Sequence, residues 1–186
     1  MVRAFSDAPV APETLERVLS AAQRGPSAGY SQGVEFVVVT DAERRAELAS
    51  ALAVPTGLAK TLRTAPVHIA ICTSADIYKT RYREPDKLPV RRELSDDELW
   101  QVPFWHVDAG CAMMLILLAA VNEGLSAGFI GVWQQAEAKA YLGIPVSYSI
   151  TGLAMLGHRS PEERPQGSAT SRRRRPPSDV LHRERW

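Results

Sequence analysis

Residues 21–40, AAQRGPSAGYSQGVEFVVVT, join a helical pattern to a strand pattern through an unusual connection. Apolar residues at helical spacing predict a helix over residues 12–24, which Gly25 and Pro26 end. The β-branched run at residues 34–40 predicts a strand. A turn between them needs the proline and the glycines, but not two serines, a tyrosine and a glutamine. Those polar side chains either satisfy backbone groups of a plain loop or bind a ligand.

The rest of the chain continues the alternation of helices and strands. Asp41 is placed to cap a helix that runs to about residue 53. Residues 67–74 and 148–157 are apolar and predict two further strands, while residues 134–143 predict a helix that ends at a glycine. The pattern predicts a mixed α and β class, and the length of 186 residues predicts a single domain, residues 1–186.

Two segments stand apart from this pattern. Residues 108–122 are apolar on every face of a helix, which favours burial at a subunit interface. Residues 78–107, here called the aromatic segment, are polar, interrupted by prolines and dotted with tyrosine, tryptophan and phenylalanine. We expect the aromatic segment to be an excursion with little regular structure, except for a short helix after Ser95, where SDDE forms a capping box.

Composition and charge exclude several classes of protein. The start of the chain lacks the pattern of a secretory signal, and the uncharged run at residues 109–121 is too short to span a bilayer. Two cysteines do not suggest a disulfide framework, so we expect a cytoplasmic location. The last fifteen residues hold six arginines against two acidic residues, and the remainder is net acidic. A basic C-terminal arm, residues 164–186, on an acidic body does not favour nucleic acid as a partner.

The common catalytic motifs are absent from the sequence. No Gly-x-Gly-x-x-Gly follows a strand, and no Walker loop occurs. Residues 25–29, GPSAG, match the letters Gly-x-Ser-x-Gly, but they follow a predicted helix and not a strand, so Ser27 does not lie on a nucleophile elbow. The four histidines lack the spacing of a zinc site, so no metal is expected. If the protein is an enzyme, a cofactor is expected to supply the chemistry.

Several stretches together resemble the FMN-dependent nitroreductase family, in the same order along the chain. They are residues 2–41, APVHIAICTS at 65–74, WHVDAGCAMMLILLAAVNEGLSAGFIG at 105–131, YLGIPVSYSITGLAMLGH at 141–158 and RRRRPPSDVLH at 172–182. The resemblance implies the nitroreductase fold, α+β, with a central, mostly antiparallel sheet flanked by helices in an intertwined homodimer. It also implies bound FMN, NAD(P)H as electron donor, and ping-pong hydride transfer to a nitroaromatic, a quinone or a similar small-molecule acceptor.

The resemblance also implies which residues would hold FMN, whose N5 would do the chemistry without a catalytic side chain. The loop after the first helix would reach the FMN of the partner subunit, so that the active sites lie at the subunit interface. Arg3 would lie beside the flavin pyrimidine edge, and the backbone amides of Gly131 or Val132 would face N5. The expected cofactor-binding residues are Arg3, Pro26, Ser27, Ala28, Tyr30, Gln32, Phe129, Ile130, Gly131, Val132, Arg172 and Arg174. The last two would hold the phosphate. The expected substrate-binding residues are Tyr82, Trp100, Phe104 and Trp105.

Three departures from the family pattern bear on the expected cofactor contacts. The stretch around Lys60 does not reproduce the asparagine and lysine that some members place on the flavin. Tyr30 stands where most members have asparagine, and Gly33-Val34 replaces Pro-Trp. Members of the family hold the phosphate with an arginine and a serine just before the position of Val2, where this sequence has only Met1. We therefore expect weakened FMN binding, or a native start farther upstream. The alternatives are another flavin or deazaflavin enzyme on this fold, such as a dehydrogenase or a flavin-fragmenting enzyme, and a non-catalytic flavin-binding protein.

Overall fold

The computed structural model describes residues 1–54, 56–164 and 167–186. Its centre is a four-stranded sheet in the order β1-β2-β4-β3. The strands are β1 (Val34–Val39), β2 (Val67–Thr73), β3 (Ser126–Ile130) and β4 (Ser149–Gly157). Every pairing in the sheet is antiparallel. The expected α+β architecture with an antiparallel sheet is therefore confirmed.

Eight α-helices surround this sheet in the described part of the chain. They are α1 (Pro12–Ala22), α2 (Ala42–Ala51), α3 (Thr56–Thr64), α4 (Ala75–Arg81), α5 (Leu88–Glu93), α6 (Asp96–Leu99), α7 (Phe104–Asn122) and α8 (Gln135–Leu142). The predicted cap of α2 is confirmed, because the Asp41 carboxylate accepts a hydrogen bond from the Arg44 amide at 2.9 Å. Neither α3 nor β3 was assigned as an element from the sequence.

The two faces of the sheet carry separate apolar cores, since side chains alternate along each strand. Every residue of β2 is buried. Ile69 and Ile71 pack on one face, in the core that α1 and α7 complete. Ala70 and Cys72 point to the other face, in the core that contains Leu48 of α2. Helices on both faces thus explain why the β2 sequence is apolar without alternation.

Helix α7 begins at Phe104, four residues before the start expected from its apolar run. Its inner side is buried through Ala109 and Ile116. Its outer side stays open in the single chain, where Leu118 is 60% and Val121 63% exposed. In the single chain, α7 therefore has an apolar outer face that is exposed.

Among the described residues, Asp96–Asn122 is the one stretch long and apolar enough to cross a membrane. The expectation from the sequence concerned the uncharged run at residues 109–121, which is too short to span a bilayer by itself. The core helix of a soluble protein satisfies the same criterion. Helix α7 contacts α1 and all four strands, as a core helix does.

The aromatic segment is largely helical, so the expectation of little regular structure was wrong. It contains the end of α4, a 3₁₀ turn at Pro85–Lys87, α5, α6 and the start of α7. Its prolines were read as interruptions, but Pro85 lies in the first turn of the 3₁₀ helix and Pro103 at the N-cap of α7. Proline is tolerated at helix starts because the first amides have no intrahelical acceptor. The capping box at Ser95 is confirmed.

Candidate functional site

The loop between α1 and β1 borders a cavity of about 460 Å³. Four of the residues expected to bind a cofactor line it, namely Pro26, Ser27, Tyr30 and Gln32. The opposite wall comes from α7. Three polar side chains of the loop, Ser27, Tyr30 and Gln32, therefore border a space that can hold a ligand.

The backbone of this loop is unusual over four residues. Gly29, Tyr30 and Gln32 all have positive φ angles, of 62°, 56° and 53°. The Ser27 hydroxyl accepts a hydrogen bond from the Gln32 amide at 2.7 Å, and the Ser31 hydroxyl donates to the Ala28 carbonyl at 2.6 Å. Both serines thus satisfy backbone groups, as the plain-loop interpretation expected. Since Ser27 also borders the cavity, the two interpretations are compatible.

Asp108 is a site residue that sequence reasoning missed. It lies in the first turns of α7, is 5% exposed and borders the cavity. Its Oδ2 atom accepts hydrogen bonds from the Ala28 amide and from the Tyr78 hydroxyl, each at 2.8 Å. Burial, together with this carboxylate, raises the pKa of Tyr78, so its hydroxyl keeps its proton. The signal in the sequence was a lone acidic residue at the head of an otherwise apolar helix.

Arg3 lies against the outer edge of the sheet beside β3. The Val2 amide donates to the Ala127 carbonyl at 2.9 Å, and the Arg3 guanidinium donates to the Phe129 carbonyl at 3.3 Å. The Arg3 amide donates to the carboxylate of Glu163, which is buried. The structure therefore brings Arg3 together with the start of the expected flavin-lining segment, residues 129–132.

The end of that segment is accessible. Gly131 is exposed, and a Cβ added to it would meet no atom within 4 Å. Val132 is partly buried, whereas the Ile130 side chain belongs to the core. Ile130 is 6% exposed and pairs with Leu153 of β4, so the accessible part of the segment begins at Gly131.

One chain does not bring the loop and the Arg3 side of the site together. The loop leads into β1 and residue 131 follows β3, and these are the two outer strands of the sheet. Three strand spacings separate them, about 14 Å across the sheet. Neither Arg3 nor residues 129–132 line the cavity beside the loop.

Three of the four expected substrate-binding aromatics pack on one another. Tyr82 and Trp100 meet edge to face with their ring centres 5.1 Å apart, and Trp100 and Trp105 are 5.6 Å apart. Phe104, at the start of α7, is 37% exposed and makes no ring contact with another described residue. The aromatic segment thus has a small core of its own, and Phe104 remains accessible.

The two arginines expected to hold a phosphate lie on the C-terminal arm. Arg172 and Arg174 are exposed, and their guanidinium groups make no hydrogen bond to the described part of the chain. Residues 172–186 are exposed throughout. None of these residues lines the cavity beside the loop. Across the described ranges, no group of three or more His, Cys, Asp or Glu side chains could hold a metal ion.

Comparison with known proteins places these features in a family. The family model described as the nitroreductase family matches residues 1–158. The chain belongs to the nitroreductase family. A protein of Archaeoglobus fulgidus, provisionally named NADH dehydrogenase/NAD(P)H nitroreductase, is 27% identical over 189 residues, covering 100% of this chain and 92% of the relative.

Other members of the nitroreductase family agree with that assignment. An FMN reductase [NAD(P)H] of Bacillus subtilis is 29% identical over 188 residues, which cover 100% of this chain and 70% of the relative. The crystal structure of a nitroreductase family protein from Streptococcus pneumoniae superposes with a TM-score of 0.74 at 24% identity, covering 98% of this chain and 94% of that one. The nitroreductase fold expected from the sequence is thus confirmed.

Proposed function

We propose that this member of the nitroreductase family is an FMN-binding oxidoreductase that uses NAD(P)H to reduce a small-molecule acceptor. The observation that carries the proposal is the family match over residues 1–158, which includes both halves of the candidate site. Relatives are named as FMN reductase [NAD(P)H] and NADPH-flavin oxidoreductase. The acceptor would be a nitroaromatic, a quinone or a similar two-electron acceptor, and the reaction would be ping-pong.

The residues present fit such a cofactor. Arg3 supplies a permanent positive charge beside β3, where its guanidinium is held by the Phe129 carbonyl. A fixed cation there favours a ligand that becomes negatively charged on reduction. The open backbone at Gly131 and the partly buried Val132 leave room for a flat ring system to approach the amides.

The division of the site supports a homodimer. The loop with Ser27 and Gln32 lies about three strand spacings from residue 131 in the same chain. Two copies that pair through the open face of α7 would allow the loop of one copy to reach the Arg3 side of the other. The exposed fractions of Leu118 and Val121 support this pairing, since exposed apolar patches commonly mark interfaces.

The remaining expected residues have roles in this arrangement. Arg172 and Arg174, which are exposed, would hold the FMN phosphate by charge-assisted hydrogen bonds. Among the aromatics, Phe104 has the accessible ring that an acceptor could contact. The packing of Tyr82, Trp100 and Trp105 on one another suggests that they shape this part of the site.

Bound FMN would supply the two-electron chemistry, in which NAD(P)H is oxidised and an acceptor is then reduced. The described residues would bind and orient, and no catalytic side chain is assigned. Protons would come from solvent. A cytoplasmic location, where NAD(P)H is abundant, completes the proposal.

The test is reconstitution followed by turnover. Purified protein titrated with FMN is expected to bind one FMN per chain, and NAD(P)H oxidation by the loaded protein is expected to rise when a nitroaromatic or a quinone is added. Arg3→Gln, which keeps a hydrogen-bond donor but removes the charge, is expected to bind FMN and to be reduced more slowly. Failure to bind FMN would refute the proposal. FMN binding with no NAD(P)H oxidation would favour a non-catalytic flavin-binding protein.

A further inference from the structure

Two residues of the loop at residues 26–33 have a backbone conformation that is unusual for residues with a side chain. Tyr30 and Gln32 have positive φ angles of 56° and 53°, although neither is glycine. Residues with a Cβ atom rarely adopt positive φ angles, and they keep them only where surrounding contacts hold the backbone. Tyr30 is 74% exposed, so its own side chain contributes little to holding the loop.

Besides the hydrogen bonds that Ser27 and Ser31 make within the loop, Asp108 of α7 holds the loop from outside. Its Oδ2 atom lies 2.8 Å from the Ala28 amide, inside the loop, and 2.8 Å from the Tyr78 hydroxyl on α4. Tyr78 is fully buried. A buried carboxylate that bonds two donors on different elements ties those elements to each other and to α7.

The rings of Tyr78, in α4, and Tyr82, directly after α4, lie against the loop. A Cβ added to Gly29 would lie 2.4 Å from a ring carbon of Tyr82, and one added to Gly33 would lie 2.5 Å from a ring carbon of Tyr78. The loop is therefore in close contact with the helical part of the aromatic segment. Tyr82 in turn contacts Trp100, so the packing continues through that segment.

We propose that Asp108 is a positioning residue that holds the loop at residues 26–33 in the shape that presents Ser27 and Gln32 to the cavity. It acts through the Ala28 amide, and through Tyr78 it couples the loop to the aromatic segment. The part of the inference that concerns affinity rests on the proposed function, because it requires the loop to contact FMN.

The experiment uses hydrogen exchange in the flavin-free protein, together with FMN titration of the same samples. Asp108→Ala removes the acceptor, whereas Asp108→Asn keeps an oxygen acceptor and removes the charge. Ile116→Val is the matched control, because it perturbs the buried side of α7 about 12 Å along the helix from Asp108. Tyr78→Phe is a second variant, which removes one donor and leaves the Ala28 bond in place.

Asp108→Ala is expected to speed exchange of the amides at residues 28–32 by about ten- to a hundredfold and to weaken FMN binding by a similar factor. Asp108→Asn is expected to give a smaller change in both, and Tyr78→Phe a smaller change in exchange. Ile116→Val is expected to leave exchange at residues 28–32 as in the wild type. If Asp108→Ala unfolds the protein, the Asn and Phe variants give the same comparison.

Exchange at residues 28–32 that matches the control in every Asp108 and Tyr78 variant would overturn the inference. Faster exchange with unchanged FMN affinity would overturn the positioning role. If the wild-type protein binds no FMN at all, the proposed function fails, and the exchange data alone still decide whether Asp108 holds the loop.

Discussion

His68 is expected to make the protein sensitive to mild acid. Its side chain is fully buried in β2, Nε2 donates to the Leu62 carbonyl at 2.8 Å, and Nδ1 has no partner among the described residues. Burial lowers the pKa of His68 from 6.5 to about 4, although the Leu62 hydrogen bond opposes the change. Protonation would bury a charge and an N–H group without an acceptor.

The direction and size of the effect follow from linkage. The His68 side chain takes up its proton near pH 6.5 in the unfolded chain but only near pH 4 in the folded protein. Because the unfolded chain then binds more protons, the free energy of unfolding is highest above pH 6.5 and decreases as the pH falls towards 4. The difference between the two pKa values of His68 corresponds to about 3 kcal/mol in the free energy of unfolding, of which about 2 kcal/mol is lost between pH 7.5 and pH 5. Acidic groups whose pKa lies below its usual range, such as Glu98, lose their stabilising effect at lower pH.

Urea unfolding of the flavin-free protein between pH 7.5 and pH 5 measures this loss at a fixed protein concentration. His68→Gln can keep a donor for Leu62 but cannot be protonated, so its free energy of unfolding is expected to change little over this range. His106→Gln removes an exposed histidine and is expected to follow the wild type. Equal losses of stability in His68→Gln and in the wild type would refute the reasoning.

Three further substitutions test the loop, the subunit interface and the arm. Gly29→Ala puts a Cβ 2.4 Å from the Tyr82 ring, at a residue with a φ of 62°. Thermal unfolding should therefore show a loss of at least about 1–2 kcal/mol in the free energy of unfolding. Combining Gly29→Ala with Tyr82→Ala removes the clash but not the backbone strain, so it should restore only part of that loss. Leu118→Asp should convert a dimer into a folded monomer in sedimentation, because Leu118 is 60% exposed in the single chain; a monomeric wild type would disprove this. Arg174→Ala should weaken FMN binding by about ten- to a hundredfold in a fluorescence titration without changing thermal stability, and equal affinities would contradict its phosphate role.

Strands β1, β2 and β4 could be predicted from local sequence because helices cover each face of the sheet. Burial on both faces makes β2 continuously apolar, and β-branched residues in β1 point to an extended chain. Helix ends were visible where a single side chain makes the cap, as at Asp41 and Ser95. These features depend on neighbours close in sequence.

The aromatic segment and Asp108 could not be predicted in the same way. Pro85 and Pro103 are compatible with a helix start or with a loop, and only the packing of Tyr82, Trp100 and Trp105 on one another decides between them. The role of Asp108 depends on an amide 80 residues away in sequence. Such a contact leaves no local pattern beyond one acidic residue in an apolar helix.

The most direct test of the proposed oxidoreductase activity is a pair of half-reactions without oxygen. FMN-loaded protein mixed with one equivalent of NADH or NADPH is expected to lose the absorbance of oxidised flavin. One equivalent of a nitroaromatic or a quinone, added after the nicotinamide product is removed, is then expected to restore it. Flavin that stays oxidised with both nicotinamides, or a reduced protein that no such acceptor reoxidises, would contradict the account.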